Sequence, residues 1–358
     1  MHASYACRES GACCTSGWPI PIEADRLAAV ERAIAAGAIE WPPGASPGLK
    51  PRGAVASRWS PGPSGPGRHE SLPTILPVVG DACVFHRSTG AARCALHRGL
   101  GHAALPLACR QFPRVVVVDP RGVSITLSHY CPTAASMLDA GGAIAIVTNA
   151  RAFPADGEYV GLDVRDGLPP ALRPDMLMDW DAWWRFEQLA VTLLTSHADP
   201  AETLARLAVA VEHVRDWSPA DGPLETRVRA AFDAAGTGPP PRHPSLPGVV
   251  CEDVLAAVPL EFRANAAAAL GRGGPRPSRR AHAAFLAAHA FASWTPHLGE
   301  GLRTWLHGIE AAHALVMSGV GVREVDLVLR HLADPHALTR MWGREESQVR
   351  RVRQAKGT

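Results

Sequence analysis

At 358 residues with 47% hydrophobic content, the chain is long enough for two or three domains that bury real cores. Lys and Arg total 36 against 34 Asp and Glu, a formal net charge of +2, too balanced to argue for a nucleic-acid polymer or an anionic membrane as partner. No run approaches the roughly 20 apolar residues that span a bilayer, and the opening MHASYACRES has no basic start, apolar run or cleavage site of a secretory signal, so the expected compartment is the cytoplasm.

In chain order, CRESGACC comes first and places Cys7, Cys13 and Cys14 close together. PIEADRLAAVERAIAAG then carries an acidic first turn, Leu27, Val30 and Ile34 at helical spacing, and Gly37 as a stop, which predicts a helix. Residues 42–77 are dense in Pro and Gly, and they read as a long loop inserted into one module. ACVFHRSTGAARCAL predicts two short strands around a Ser-Thr-Gly turn, bringing Cys83 and Cys94 together. RVVVVDPRGVSITL predicts a second hairpin, with Asp119-Pro120-Arg121-Gly122 as its turn, flanked by Cys109 and Cys131. CPTAASMLDA predicts a short helix with Pro132 in its first turn.

Residues 141–175 lack periodicity and read as a linker or a few irregular strands. Four later stretches, beginning at Met178, Asp199, Arg279 and Glu300, repeat apolar residues at three- and four-residue spacing and predict helices. The expected fold is mostly α: a small α+β cysteine-rich metal-binding module over 1–140, the linker, and an all-α domain over 176–358.

Seven of the eight cysteines lie before residue 132, each beside a turn, a loop or a helix start. An odd count, a vicinal pair and no export signal argue against a disulfide framework, whereas thiolates brought together by turns are soft metal ligands. Cys7, Cys13, Cys14, Cys83, Cys94, Cys109 and Cys131 are the candidate ligands. His97, three after Cys94, reads as a further ligand or as a polar residue leaving the hairpin; His129 lies two before Cys131. Cys251 reads as a buried small residue. The dense stretch MDWDAWWRFE offers Trp faces and carboxylates to an ammonium group, or else starts a helix anchored by Trp in a core.

Taken together, CRESGACC, CVF, CAL, LPLACRQFPR and SHYCP resemble the YkgJ-type cysteine-cluster family of zinc- or iron-chelating domains. CCTSGWPIPIE, CRQFPR and CPTAASMLDA look most like its flagellin lysine-N-methylase branch. The resemblance covers about residues 5–139 outside the insert. It implies zinc or an iron–sulfur cluster, methyl transfer from S-adenosylmethionine to a lysine of a flagellin-like protein substrate, and a cationic cofactor contact for which Arg110 and Arg114 are the candidates. Their other reading is as surface residues or partners of backbone carbonyls. The family's first motif has Cys where this chain has Ser10, and a serine hydroxyl is a poor ligand for soft metals. No GxGxG opening a strand-turn-helix unit and no Cys-x-x-x-Cys-x-x-Cys run is present. A non-catalytic module that binds a partner, and a protein that sequesters or delivers metal, are the competing expectations.

Overall fold

In the computed structural model, residues 5–40, 74–88, 94–140, 144–148, 159–196, 199–237, 251–298 and 301–332 are described. The fold is mostly helical with small sheets. Helix α1 (Ala24–Ala35) forms where the spacing predicts it: Val30 is fully buried, and Gly37 leaves the helix with a φ of 69° that favours glycine. Strand β1 (Pro21–Ile22) pairs antiparallel with β2 (Thr74–Ile75), so the end of the expected insert belongs to the fold; residues 42–73 lie outside the described residues.

Cys83 ends β4 (Ala82–Cys83), which pairs with β3 (Val78–Val79), and not with the chain at Cys94. Cys94 still comes close, through a bridge with His86 and a hydrogen bond from Ala95 N to Phe85 O of 2.9 Å. It opens helix α2 (Ala95–Leu100), so the expected second strand is replaced by a helix. Ala, Leu and Arg are good helix formers, and burial of Ala95 and Leu96 on one side decides for the helix.

Helix α3 (Leu107–Gln111) follows, and Glu23 Oε1 accepts from its Leu107 N at 2.9 Å. The second hairpin forms as predicted: β5 (Arg114–Asp119) pairs with β6 (Gly122–Leu127), with Asp119 opposite Gly122 across the turn. Val115, Val116 and Val117 are all buried because both faces of β5 are covered. Pro132 sits in the first turn of α4 (Pro132–Ser136), as expected.

Within 141–175 the described residues include strands. Strand β7 (Leu162–Asp163) adds parallel to β5, and β8 (Ala171–Arg173) pairs with β9 (Met176–Leu177). All four predicted helices of the C-terminal part are present: α5 (Trp180–Leu194), α6 (Pro200–Arg215), α10 (Arg279–Ala290) and α11 (Leu302–Met317). Side-chain caps start three of them, Asp179, Asp199 and Ser278 accepting from backbone N–H groups. Four further helices lie among them: α7 (Leu224–Gly236), α8 (Cys251–Ala257), α9 (Arg263–Leu270) and α12 (Val322–Leu329). No described helix is long and apolar enough to cross a membrane.

One large apolar core runs through the helices, and a separate one joins Cys14, Ile20, Ile22, Val30, Phe85 and Leu96 near the thiols. The large core centres on rings: Phe186 lies 5.1 Å from Trp305 and 5.4 Å from Phe232, and Trp183 lies 5.7 Å from Phe186. Trp183→Ala should therefore cost about 3–5 kcal/mol, as truncating a large buried ring does. Urea unfolding measures it, and a loss under about 1 kcal/mol would show that this ring is not a keystone of the core.

Candidate functional site

All eight cysteines are free thiols. Five of them, from four separate segments, touch one another. Cys13 and Cys14 lie in a short 3-10 turn (Ala12–Cys14) that the chain enters through Gly11 at a φ of 73°. That turn places two successive thiols on different neighbours: Cys13 bonds to Cys14 and Cys109, while Cys14 also bonds to Cys83 and Cys94.

The contacts divide the thiols by charge. Hydrogen bonds from Cys109 and Cys14 hold the Cys13 thiol well below its ordinary range, outweighing burial. Cys94 is lowered by Cys14 and, more weakly, by backbone N–H groups of His97 and Leu96. Cys14 and Cys109 are pushed up because they donate. Thus Cys13 and Cys94 are the thiols shifted towards ionisation, and the thiolate is the form that binds metal.

One pocket unites this group with the remaining candidates. Cys7, Cys13, Cys94, Cys109 and Cys131 line it together with Ser10. Tyr5 completes one side, its hydroxyl 3.6 Å from Cys131 Sγ. Burial first, and then the neighbouring Cys131 and Cys7, push the Tyr5 hydroxyl up, so it stays a neutral donor. Ser10 Oγ accepts from Ala12 N at 3.4 Å, at the start of the turn that carries the vicinal thiols.

The sequence-predicted thiols are thus brought to one place, Cys7 and Cys131 on the pocket wall and the other five in mutual contact. Thiols that bond in a chain do not surround a point: among the described residues, no three or more His, Cys, Asp or Glu side chains are arranged to hold a metal ion. The donor chemistry fits zinc or an iron–sulfur cluster, since both are held by thiolates.

Arg110 lines the pocket directly after Cys109. The Arg114 guanidinium lies 5.5 Å over the Tyr5 ring, and burial lowers its pKa against the opposing pull of Tyr5 and Cys7. His97 also lines the pocket, with Nε2 3.6 Å from Glu9 Oε1. His129 is fully buried elsewhere, its ring 5.6 Å from Phe285. Cys251 is half-buried, not buried as expected, and packs against the edge of the large core.

In the Trp-rich stretch one ring is buried and two are met by arginines, and Trp184 stays 45% exposed. Trp183 is 1% exposed in the core, Arg121 covers Trp180 at 5.7 Å, and Arg185 covers Trp184 at 5.7 Å. Asp179 is occupied as the cap of α5. Tyr5, Glu9 and His102 were invisible as pocket residues in the sequence, because single polar residues carry no periodicity. Closeness to Cys7 was the one signal available for Tyr5 and Glu9. No protein-family model, curated protein or solved structure matches the chain.

Proposed function

We propose that this is a thiol-ligated metal or iron–sulfur protein of the YkgJ type, in the manner of flagellin lysine-N-methylase, acting in the reducing cytoplasm. The observation that carries the metal reading is the group of five thiols linked by hydrogen bonds, two of them shifted towards ionisation, beside two more thiols on one pocket wall. Buried thiolates need compensation, and a cation among them provides it. Cys13, Cys14, Cys94 and Cys109 are the residues that would hold the group, with Cys83, Cys7 and Cys131 as the further candidates.

When bound, zinc would brace the fold, whereas a cluster would in addition offer an iron position to S-adenosylmethionine. Methyl transfer to a protein lysine rests on the resemblance of the motifs alone. Arg110, at the pocket beside Cys109, is the better placed of the two cationic candidates for a cofactor carboxylate, because the face of Arg114 is taken up by Tyr5. The second reading is a non-catalytic metal module, and it is supported by the arginines that already stand over one face each of Trp180 and Trp184, where a substrate lysine would have to compete.

Anaerobic purification with metal analysis and an absorption spectrum tests the proposal. Stoichiometric iron with broad visible charge-transfer absorption supports a cluster, and colourless protein with stoichiometric zinc supports the non-catalytic module. Metal-free protein that remains fully folded defeats both.

A further inference from the structure

The two chain segments that carry the thiols Cys13 and Cys14 and the thiol Cys131 are held by α12 and by the residues just beyond its end. On one side, Ser128 donates its hydroxyl to Asp326 Oδ2 at 2.5 Å, and Tyr130 N donates to the same oxygen at 3.2 Å. Arg323 Nε donates to Tyr130 O at 3.1 Å, and its guanidinium lies 5.6 Å over the Tyr130 ring. Asp326 and Arg323 lie one turn apart on α12, so both reach the segment that leads into Cys131.

On the other side, the residues after Cys14 are held by the same helix and its neighbour. The Tyr130 hydroxyl donates to Thr15 O at 3.1 Å and stands 2.9 Å from Thr15 Oγ1. Trp18 stacks at 5.2 Å on His331, just beyond the end of α12, and His331 stacks at 3.7 Å on Phe262. Gly17 permits that approach: a Cβ there would lie 2.2 Å from the Phe262 ring, and its φ of 77° favours glycine.

Asp326 is fully buried and still ionised. Burial raises its pKa, but Arg330 and the contacts from His129 and His289 hold it well below the usual carboxylate range. His289 Nε2 stands 3.0 Å from Oδ1, and Arg330 Nε 3.5 Å. A buried charge with this many partners has one low-energy position, and it transmits that position to Ser128 and Tyr130.

We propose that α12 is the common anchor that sets the spacing of the Cys14 and Cys131 segments, with Asp326 and Tyr130 as positioning residues for the thiol site. The inference rests on the metal reading above for its consequence: affinity for a thiophilic cation depends on side chains that are not themselves ligands. Residues that orient ligands from behind typically change metal affinity by about 10- to 100-fold when removed.

The test uses the full chain and Co(II) as the probe, comparing wild type with Tyr130→Phe, Thr15→Val and Asp326→Asn. Val228→Ala, a truncation at a fully buried position of α7, serves as a control for general destabilisation. Each protein is titrated with Co(II) while thiolate-to-metal absorption is recorded, and the metal-free protein is alkylated with iodoacetamide and mapped by mass spectrometry. Tyr130→Phe and Thr15→Val should each weaken Co(II) binding by about tenfold and alter the absorption. Cys13 and Cys131 should alkylate faster than in wild type while Cys251 stays unchanged, and Val228→Ala should show neither effect.

Unchanged affinity, spectrum and alkylation in both hydroxyl variants overturn the inference, as does Val228→Ala reproducing their effects. A wild type that takes up no Co(II) sinks the metal reading, and the alkylation pattern then decides the anchoring by itself. Should Asp326→Asn fail to fold, the two milder variants decide.

Discussion

Cys109→Ala should lower bound metal by about tenfold or more and destabilise the N-terminal region, since a structural metal contributes its binding energy directly to folding. Cys109 is the thiol that lowers Cys13 most strongly, so its loss removes a donor and also its neighbour's shift towards ionisation. Cys251→Ala is the contrast, because Cys251 packs against the other core and is not among the pocket residues. It should keep its metal and lose about 1 kcal/mol or less. Ser10→Cys should leave metal content unchanged or tighten binding slightly, because Ser10 lines the pocket and is not one of the five linked thiols. Metal per chain, measured side by side without oxygen, reads all three. Full metal in Cys109→Ala, or metal present only in Ser10→Cys, would show that the five thiols are not the working site.

Stability should fall steeply below neutral pH, where buried histidines outweigh one opposing carboxyl group. Burial lowers His282, His289, His297 and His331 to about 4 and His307 to about 3. Below the ordinary histidine value of 6.5 the unfolded chain binds protons that these folded rings refuse, so stability is lost as pH falls from 6.5 towards 4. Shifts of this size are worth at most roughly 3–5 kcal/mol per ring before solvent screening. Several such rings together rival a domain's whole stability, which places cooperative acid unfolding at about pH 4.5–6.

Glu187 works in the other direction. Burial lifts it from 4.5 to about 7, against the pull of Arg121, whose guanidinium approaches it at 3.7 Å, and of a hydrogen bond from Ala292 N. Asp119, which Arg121 also pairs, pushes it further up. A folded value above the unfolded one means that the folded chain holds the extra proton, so stability is lost as pH rises from 4.5 through 7. Glu187→Gln, which keeps the shape without the charge, should match wild type near pH 5 and gain on it by about 5 °C in Tm by pH 8. A difference between the two proteins that stays flat with pH would mean that Glu187 titrates normally.

Local chemistry determined much of this fold before any tertiary contact. The β5–β6 hairpin follows from a β-branched run on either side of Asp119-Pro120-Arg121-Gly122, and its register has Asp119 opposite Gly122 as the turn requires. Helices α1, α5, α6, α10 and α11 follow from apolar spacing and from caps such as Asp179 and Ser278. That the thiols would gather was legible too, because turns beside cysteines bring them back towards one another.

Tertiary structure decided what periodicity cannot carry. Whether residues 95–100 continue a hairpin or coil into a helix depended on which face Ala95 and Leu96 could bury. Residues 162–163 form a strand because β5 offers an open edge, and a two-residue strand has no signature of its own. Which thiols touch, and that Cys13 and Cys94 are shifted towards ionisation, depended on the hydrogen bonds among four segments. Asp326 lies 195 positions beyond Cys131 on an ordinary amphipathic helix, and only folding against Ser128 and Tyr130 turned it into an anchor. Sequence encodes the local conformations of neighbours along the chain, whereas a buried polar network depends on groups far apart in the chain meeting in the right geometry.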